Sequence, residues 1–237
     1  MGVAVIGGDM ESEKLWCFAW FEGKPLGAGT TRAALQKDAK WKSGDSISVK
    51  FISGDQKLKD RVTDVARRWT VPGLANLRLV FNDDPDADVR IDFIRGNGSW
   101  STVGTTCRKV PSNKATMNYG WISADSSEET LRSVVLHEFG HALGLIHEHQ
   151  NPQAGFAWNE DAVIAELSGP PNNWSEQQIR FNVLDPASPA DVSATVMDAN
   201  SIMMYPIPKS WTRDGRSTGF NSDLSQKDRQ FIHAQYL

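Results

Sequence analysis

The 237-residue sequence holds five histidines, and four of them fall between positions 137 and 149. They sit in or just after the run His137-Glu138-Phe139-Gly140-His141-Ala142-Leu143-Gly144-Leu145-Ile146-His147. Imidazoles scattered as core or surface residues do not crowd in this way. His137 and His141 are four positions apart, so on a helix they stand one turn apart on the same face. Two rings so placed reach one metal ion. Glu138 is offset around the helix and reaches a water at that metal without being a ligand. Gly144 permits the left-handed backbone that ends a helix and turns the chain. Three residues later His147 returns as a third nitrogen donor. Three neutral nitrogens plus water is the open arrangement of a catalytic zinc site, whereas structural zinc sites are closed by four protein ligands.

A lone His-Glu-x-x-His arises by chance. The third histidine behind a glycine makes the pattern specific. Further along, Ser201-Ile202-Met203-Met204-Tyr205-Pro206 supplies a methionine turn, and the two together form the metzincin signature. Within that clan, Glu148 directly after the third histidine and Ser-Ile-Met-x-Tyr at 201–205 resemble the astacin family of zinc endopeptidases. The run Leu145-Ile146-His147-Glu148-His149-Gln150-Asn151-Pro152 is more similar to microbial members than to animal ones.

The resemblance implies one catalytic Zn²⁺ on His137, His141 and His147, with Glu138 as general base. It implies that Met203 packs under the ligand rings without binding metal. The Tyr205 phenol then binds the metal at rest and swings to stabilise the oxyanion, or it is a core tyrosine. His149 orients substrate or Glu148, or is a surface residue. Family members carry an inhibitory prosegment in which an Asp occupies the zinc. Ile6-Gly7-Gly8-Asp9 is similar to that motif but lacks its phenylalanine. A cysteine thiolate serves in some other metallopeptidase prosegments, and Cys17 is the candidate here, since a thiolate is a strong zinc ligand. Mature members begin after a basic residue, as at Arg32-Ala33, and their new amino group pairs with the glutamate at the position of Glu148.

The elements that must position these residues are legible as periodicities. Ile47, Val49 and Phe51 alternate with polar residues, as do Leu77, Leu79 and Phe81, and then Val89, Ile91 and Phe93, so three strands are predicted. Between the first two, Asp55 caps a helix over 56–69 with Leu58, Val62, Val65 and Trp69 on one face. Gly98–Thr105 resembles the family's edge strand above the cleft, whose free backbone groups bind an extended peptide as one more strand. Thr116–Trp121 reads as the strand after it. Ser126 or Ser127 caps the helix that carries His137, Glu138 and His141, with Glu128 and Glu129 in its first turn. Residues 150–200 are rich in Pro, Asn, Asp and Ser and predict irregular structure with short helices near 160–167 and 175–181. A last helix starts at Ser225, with Asp228 completing a capping box and Phe231 and Ile232 docking it.

The whole chain sets bounds. Its length gives one domain or two small lobes with a real core. A net charge of −4 gives no basic footprint for nucleic acid, and no apolar run is long enough to span a membrane. The first residues do not read as a secretory signal, although the family resemblance points to secretion. Two cysteines are too few for a disulfide scaffold, and animal-type members usually carry two disulfides. A single Cys17–Cys107 bridge is the one pairing open to the chain.

The resulting expectation is an α+β, zincin-like fold. A mixed twisted sheet carries a backing helix and the active-site helix, and a mostly irregular C-terminal subdomain ends in a helix. Residues 1–32 form a prosegment-like segment and 33–237 the catalytic domain, divided at 144/145. The expected function is zinc-dependent hydrolysis of peptide bonds by a monomer, with a protein or peptide substrate lying along Ser99–Thr105. Two other classes stand beside it: a latent zymogen, and a zinc-bearing interaction protein without turnover.

Overall fold

The computed structural model describes residues 18–20, 35–170, 172–188, 190, 192–193 and 196–237. Asp9, Cys17 and the Arg32-Ala33 junction lie outside them. The main sheet has six strands: β1 (Phe18–Trp20), β3 (Ser46–Phe51), β4 (Arg78–Phe81), β5 (Val89–Asp92), β6 (Ser99–Thr102) and β7 (Met117–Tyr119). A two-residue strand β2 (Leu35–Gln36) pairs instead with β8 (Val192–Ser193). The main order is β1-β6-β7-β5-β3-β4, and only β6–β7 is antiparallel, so the sheet is mixed as expected.

Three parallel neighbours, β4, β3 and β5, require crossovers, and α1 (Gln56–Ala66) supplies the first. Asp55 caps it by accepting from the Leu58 amide, and the helix continues as a 3-10 turn to Thr70. The second long helix, α2 (Glu128–Ala142), starts at Ser127, whose hydroxyl accepts from the Thr130 amide. From Ser133 to Ala142 every residue of α2 is buried, because the helix lies between the sheet and the rest of the chain. Trp69, Tyr119, Phe139, Ile91 and Val135 form the core between them.

The C-terminal half contains α3 (Glu160–Ser168), α4 (Glu176–Ile179) and α5 (Gln226–Tyr236). It has its own cluster around Trp174, Ile179, Val183, Ile207 and Trp211. The helix expected over 175–181 is α4 followed by a wider π-type turn, Arg180–Leu184. The β2–β8 pairing escapes sequence reading because two residues carry no periodicity.

Two expectations change. The segment Ser99–Thr105 is a strand only to Thr102, and a 3-10 helix begins at Gly104. Nor is β6 an edge in the full chain, because β1 pairs along its outer side in parallel, Phe18 opposite Trp100. Cys107 is a free, buried thiol, and burial pushes its pKa up to about 12; its expected bridge partner, Cys17, lies outside the described residues.

Candidate metal centre

α2 delivers His137, Glu138 and His141 at its buried C-terminal end. The helix then stops in a Schellman motif. Gly144 has φ +97°, its amide donates to the His141 carbonyl at 2.8 Å, and the Leu145 amide donates to the Gly140 carbonyl at 2.9 Å. This turn does more than end the helix. It brings the Leu145 carbonyl to 2.9 Å from His141 Nδ1 and sends the chain back so that His147 faces the other two rings. The orphan carbonyls of the helix end find donors at a distance: Trp41 Nε1 donates to Ala142 and Tyr236 Oη to Leu143.

The three imidazoles come together. One ring nitrogen from each of His137, His141 and His147 lies within 4.8 Å of the others. His137 Nδ1 donates to the Ile202 carbonyl at 2.7 Å and His141 Nδ1 to that of Leu145, which places the proton on Nδ1 and a lone pair on Nε2 in both. His141 Nε2 and His147 Nε2 are 3.2 Å apart. Nitrogens at two corners of a tetrahedral zinc site, each about 2.0–2.1 Å from the ion, stand about 3.3 Å apart. Burial holds all three rings in their neutral form, with His137 lowered to about 4 and the other two well below the ordinary value. Neutral, inward-facing nitrogens in a buried pocket fit one zinc ion, and among the described residues no other group of metal-binding side chains converges like this.

Around the donors the expected residues take their places. Glu138 is 1% exposed, and after burial itself its carboxylate is the next cause that pushes the Tyr119 phenol up. The methionine turn meets the cluster through the Ile202 carbonyl, which accepts from His137 Nδ1. Met203 is buried, and its carbonyl accepts from the Glu148 amide at 2.9 Å, tying the turn to the residue after the third donor. The Tyr205 ring centre is 4.2 Å from that of His147 and 6.2 Å from that of His137. His149 is not a surface residue. It is buried, stacks on Tyr205 at 4.6 Å, and donates from Nε2 to the Asn182 carbonyl of the π-type turn at 3.0 Å. Gln150 reaches the Phe181 carbonyl of the same turn. Glu148 accepts from the Asp198 amide and Asn151 Nδ2, and burial raises its carboxyl to about 7.

Sequence reading missed the groups behind these rings. Asn182, which holds His149, has no spacing signal, and Ser201 and Ile202 were legible only as part of the methionine turn. Asp228 was legible only as a helix cap.

The family model for Astacin, a family of peptidases, matches residues 35–231. No curated protein sequence matches significantly. Among solved structures, one titled "Structure of myroilysin" is 36% identical with a TM-score of 0.82, covering 86% of this chain and 98% of that one. A second, "Crystal structure of myroilysin", is 34% identical with a TM-score of 0.69, covering 95% and 92%. High choriolytic enzyme 1, a hatching-enzyme zinc protease from the medaka Oryzias latipes, shares the fold at 17% identity and a TM-score of 0.53, with 86% and 96% covered. The family match over residues 35–231 and the 36% identity over most of the chain show that it belongs to the astacin family of zinc-dependent endopeptidases, hydrolases that act on the peptide bonds of proteins.

Proposed function

We propose that His137, His141 and His147 hold the catalytic zinc, that Glu138 is the general base, and that Tyr205 stabilises the oxyanion. The observation that carries this reading is the convergence of three neutral ring nitrogens within 4.8 Å, with Glu138 next to the first on the same buried helix. A zinc ion held there supplies Lewis acidity, which acidifies a water and polarises the scissile carbonyl. Glu138 accepts the proton of the attacking water and later delivers it to the leaving nitrogen. Tyr205, held against His147 and His149, donates its phenol proton as a hydrogen bond to the developing oxyanion. The substrate is an extended protein segment lying along β6, and the enzyme acts as a monomer.

Residues 33–237 are the catalytic domain, with subdomains 33–144 and 145–237. The family match from residue 35 supports the start of the domain, and the cluster around Trp174 and Trp211 supports a C-terminal subdomain, from which α5 packs back onto the first core. Among the described residues no helix is long and apolar enough to cross a membrane, and secretion is the localisation the family reading favours.

One observation favours a second reading, latency. β1, within residues 1–32, occupies the side of β6 that a substrate strand needs. The full chain is then a zymogen whose N-terminal segment must leave before cleavage starts.

Cleavage of a denatured protein, measured beside zinc content, tests both. Glu138→Gln is expected to keep one zinc and lower kcat by at least about 10². Undiminished turnover in that variant would refute the mechanism. A chain starting at Ala33 is expected to outpace the full chain, and equal rates would refute latency.

A further inference from the structure

The C-terminal helix α5 grips the metal centre from behind, through a carboxylate that the mechanism does not use. Asp228, in its first turn, is 8% exposed and accepts three hydrogen bonds. Oδ1 accepts from Ser201 Oγ at 2.6 Å, and Oδ2 accepts from the amides of Ile202 at 2.8 Å and Ser225 at 2.9 Å. The Ser225 bond belongs to the helix cap. The other two leave the helix for the methionine turn, 26 and 27 residues earlier in the chain.

What they hold there is the peptide that orients His137. The Ile202 carbonyl accepts from His137 Nδ1 at 2.7 Å. That carbonyl shares one rigid plane with the Met203 amide. The Met203 amide donates to Ser201 Oγ at 3.0 Å, and Ser201 Oγ in turn donates to Asp228. The plane is therefore held directly at its Met203 amide, through Ser201 to Oδ1, and the adjoining Ser201–Ile202 peptide is held through the Ile202 amide to Oδ2. Tyr236, in the last turn of α5, meanwhile donates to the Leu143 carbonyl just before Gly144.

We propose that Asp228 is a positioning residue for the metal centre, setting the Ile202–Met203 peptide and through it the tautomer and direction of the His137 ring. The inference rests on the reading of the three histidines as zinc ligands. It assigns Asp228 a task beyond capping α5. Partners behind a ligating imidazole fix its ring and tautomer, and their loss typically costs 10- to 100-fold in metal affinity.

The test uses the full chain loaded with zinc and follows metal loss to an excess of a chromogenic chelator. Asp228→Ala is expected to release zinc about 10- to 100-fold faster than the parent protein. Its cobalt(II)-substituted form should show a visible spectrum changed in position and intensity. Asp228→Asn is expected to behave like the parent, because its amide oxygen takes the two backbone amides while its NH₂ faces Ser201 Oγ, which accepts it. Ser225→Ala removes the other half of the helix cap and leaves Asp228 on the methionine turn, so it controls for fraying of α5 and should keep the parent's rate. Should Asp228→Ala not fold, Ser201→Ala cuts the Oδ1 arm alone and is expected to speed release severalfold.

Release at the parent's rate from Asp228→Ala, or from Ser201→Ala in its place, would overturn the proposal. So would Ser225→Ala matching Asp228→Ala, which would make the effect one of helix capping. A parent protein that binds no zinc would overturn the reading of the site and this inference with it.

Discussion

Gly140 lies between His137 and His141 and has no side chain for a packing reason. A Cβ built there would stand 2.3 Å from Met203 Sδ and 3.3 Å from Trp69 Cζ2. The Met203 thioether occupies the space that any other residue at 140 would need. Gly140→Ala therefore sets two effects against each other. In a helix interior, alanine is better than glycine by roughly 0.5–1 kcal/mol. Forcing a methyl group into a filled core costs about 1–3 kcal/mol. The net expectation is a loss of roughly 1 kcal/mol, with Met203 pushed off its seat. Met203→Ala alone leaves a cavity and costs about 2–5 kcal/mol. In that background the methyl meets only the milder Trp69 contact, and Gly140→Ala should now stabilise, approaching the roughly 0.5–1 kcal/mol of helix propensity. The coupling between the two changes is then about 1–3 kcal/mol, the size found for side chains in contact. Urea unfolding of the four proteins at pH 7 with a chelator present measures it, because metal binding then adds nothing to stability. If Gly140→Ala stabilises the parent and the Met203→Ala protein equally, Met203 is not seated on Gly140 and the reasoning fails.

Cys107 should label with a thiol reagent at pH 8 only when the chain unfolds, which peptide mapping separates from Cys17, and rapid labelling of the native protein would contradict its burial. Between pH 9 and about 12 the unfolded chain ionises this thiol while the folded one keeps its proton, so Cys107's contribution makes stability fall as pH rises across that window. Tyr236→Phe removes the donor to the Leu143 carbonyl and should cost about 1–3 kcal/mol in urea, a change under about 0.5 kcal/mol counting against that bond. His149→Ala loses both the stack on Tyr205 and the bond to Asn182, for roughly 1–3 kcal/mol, whereas His149→Phe keeps the stack and should lose only about half as much. Equal losses in the two variants would mean that the stack contributes nothing.

The chemistry and its helix were legible in the sequence because both are local. The spacing of His137 and His141 needs only the geometry of one helix turn. Gly144 needs only its own positive φ, and the caps at Asp55, Ser127 and Ser225 need only neighbours three residues away. The strands at 46–51, 78–81 and 89–92 were readable because apolar residues alternate along each; the first two bury alternate residues, whereas in the third Arg90 is buried as well.

Tertiary structure alone decided what lies behind and beside the site. That Asp228 holds the peptide behind His137, that Asn182 anchors His149, and that β1 lies along β6 are contacts between distant parts of the chain. None of them leaves a period or a spacing, since a carboxylate, an amide carbonyl or a strand edge can pair with any partner that packing brings near. Which nitrogen of His137 and His141 is left free was set in the same way, by carbonyls delivered from Ile202 and from Leu145. The sequence could name the histidines that converge because their spacing and chemistry are in their residue types. It could not say what aims them, because aim comes from hydrogen bonds closed only when the chain has folded.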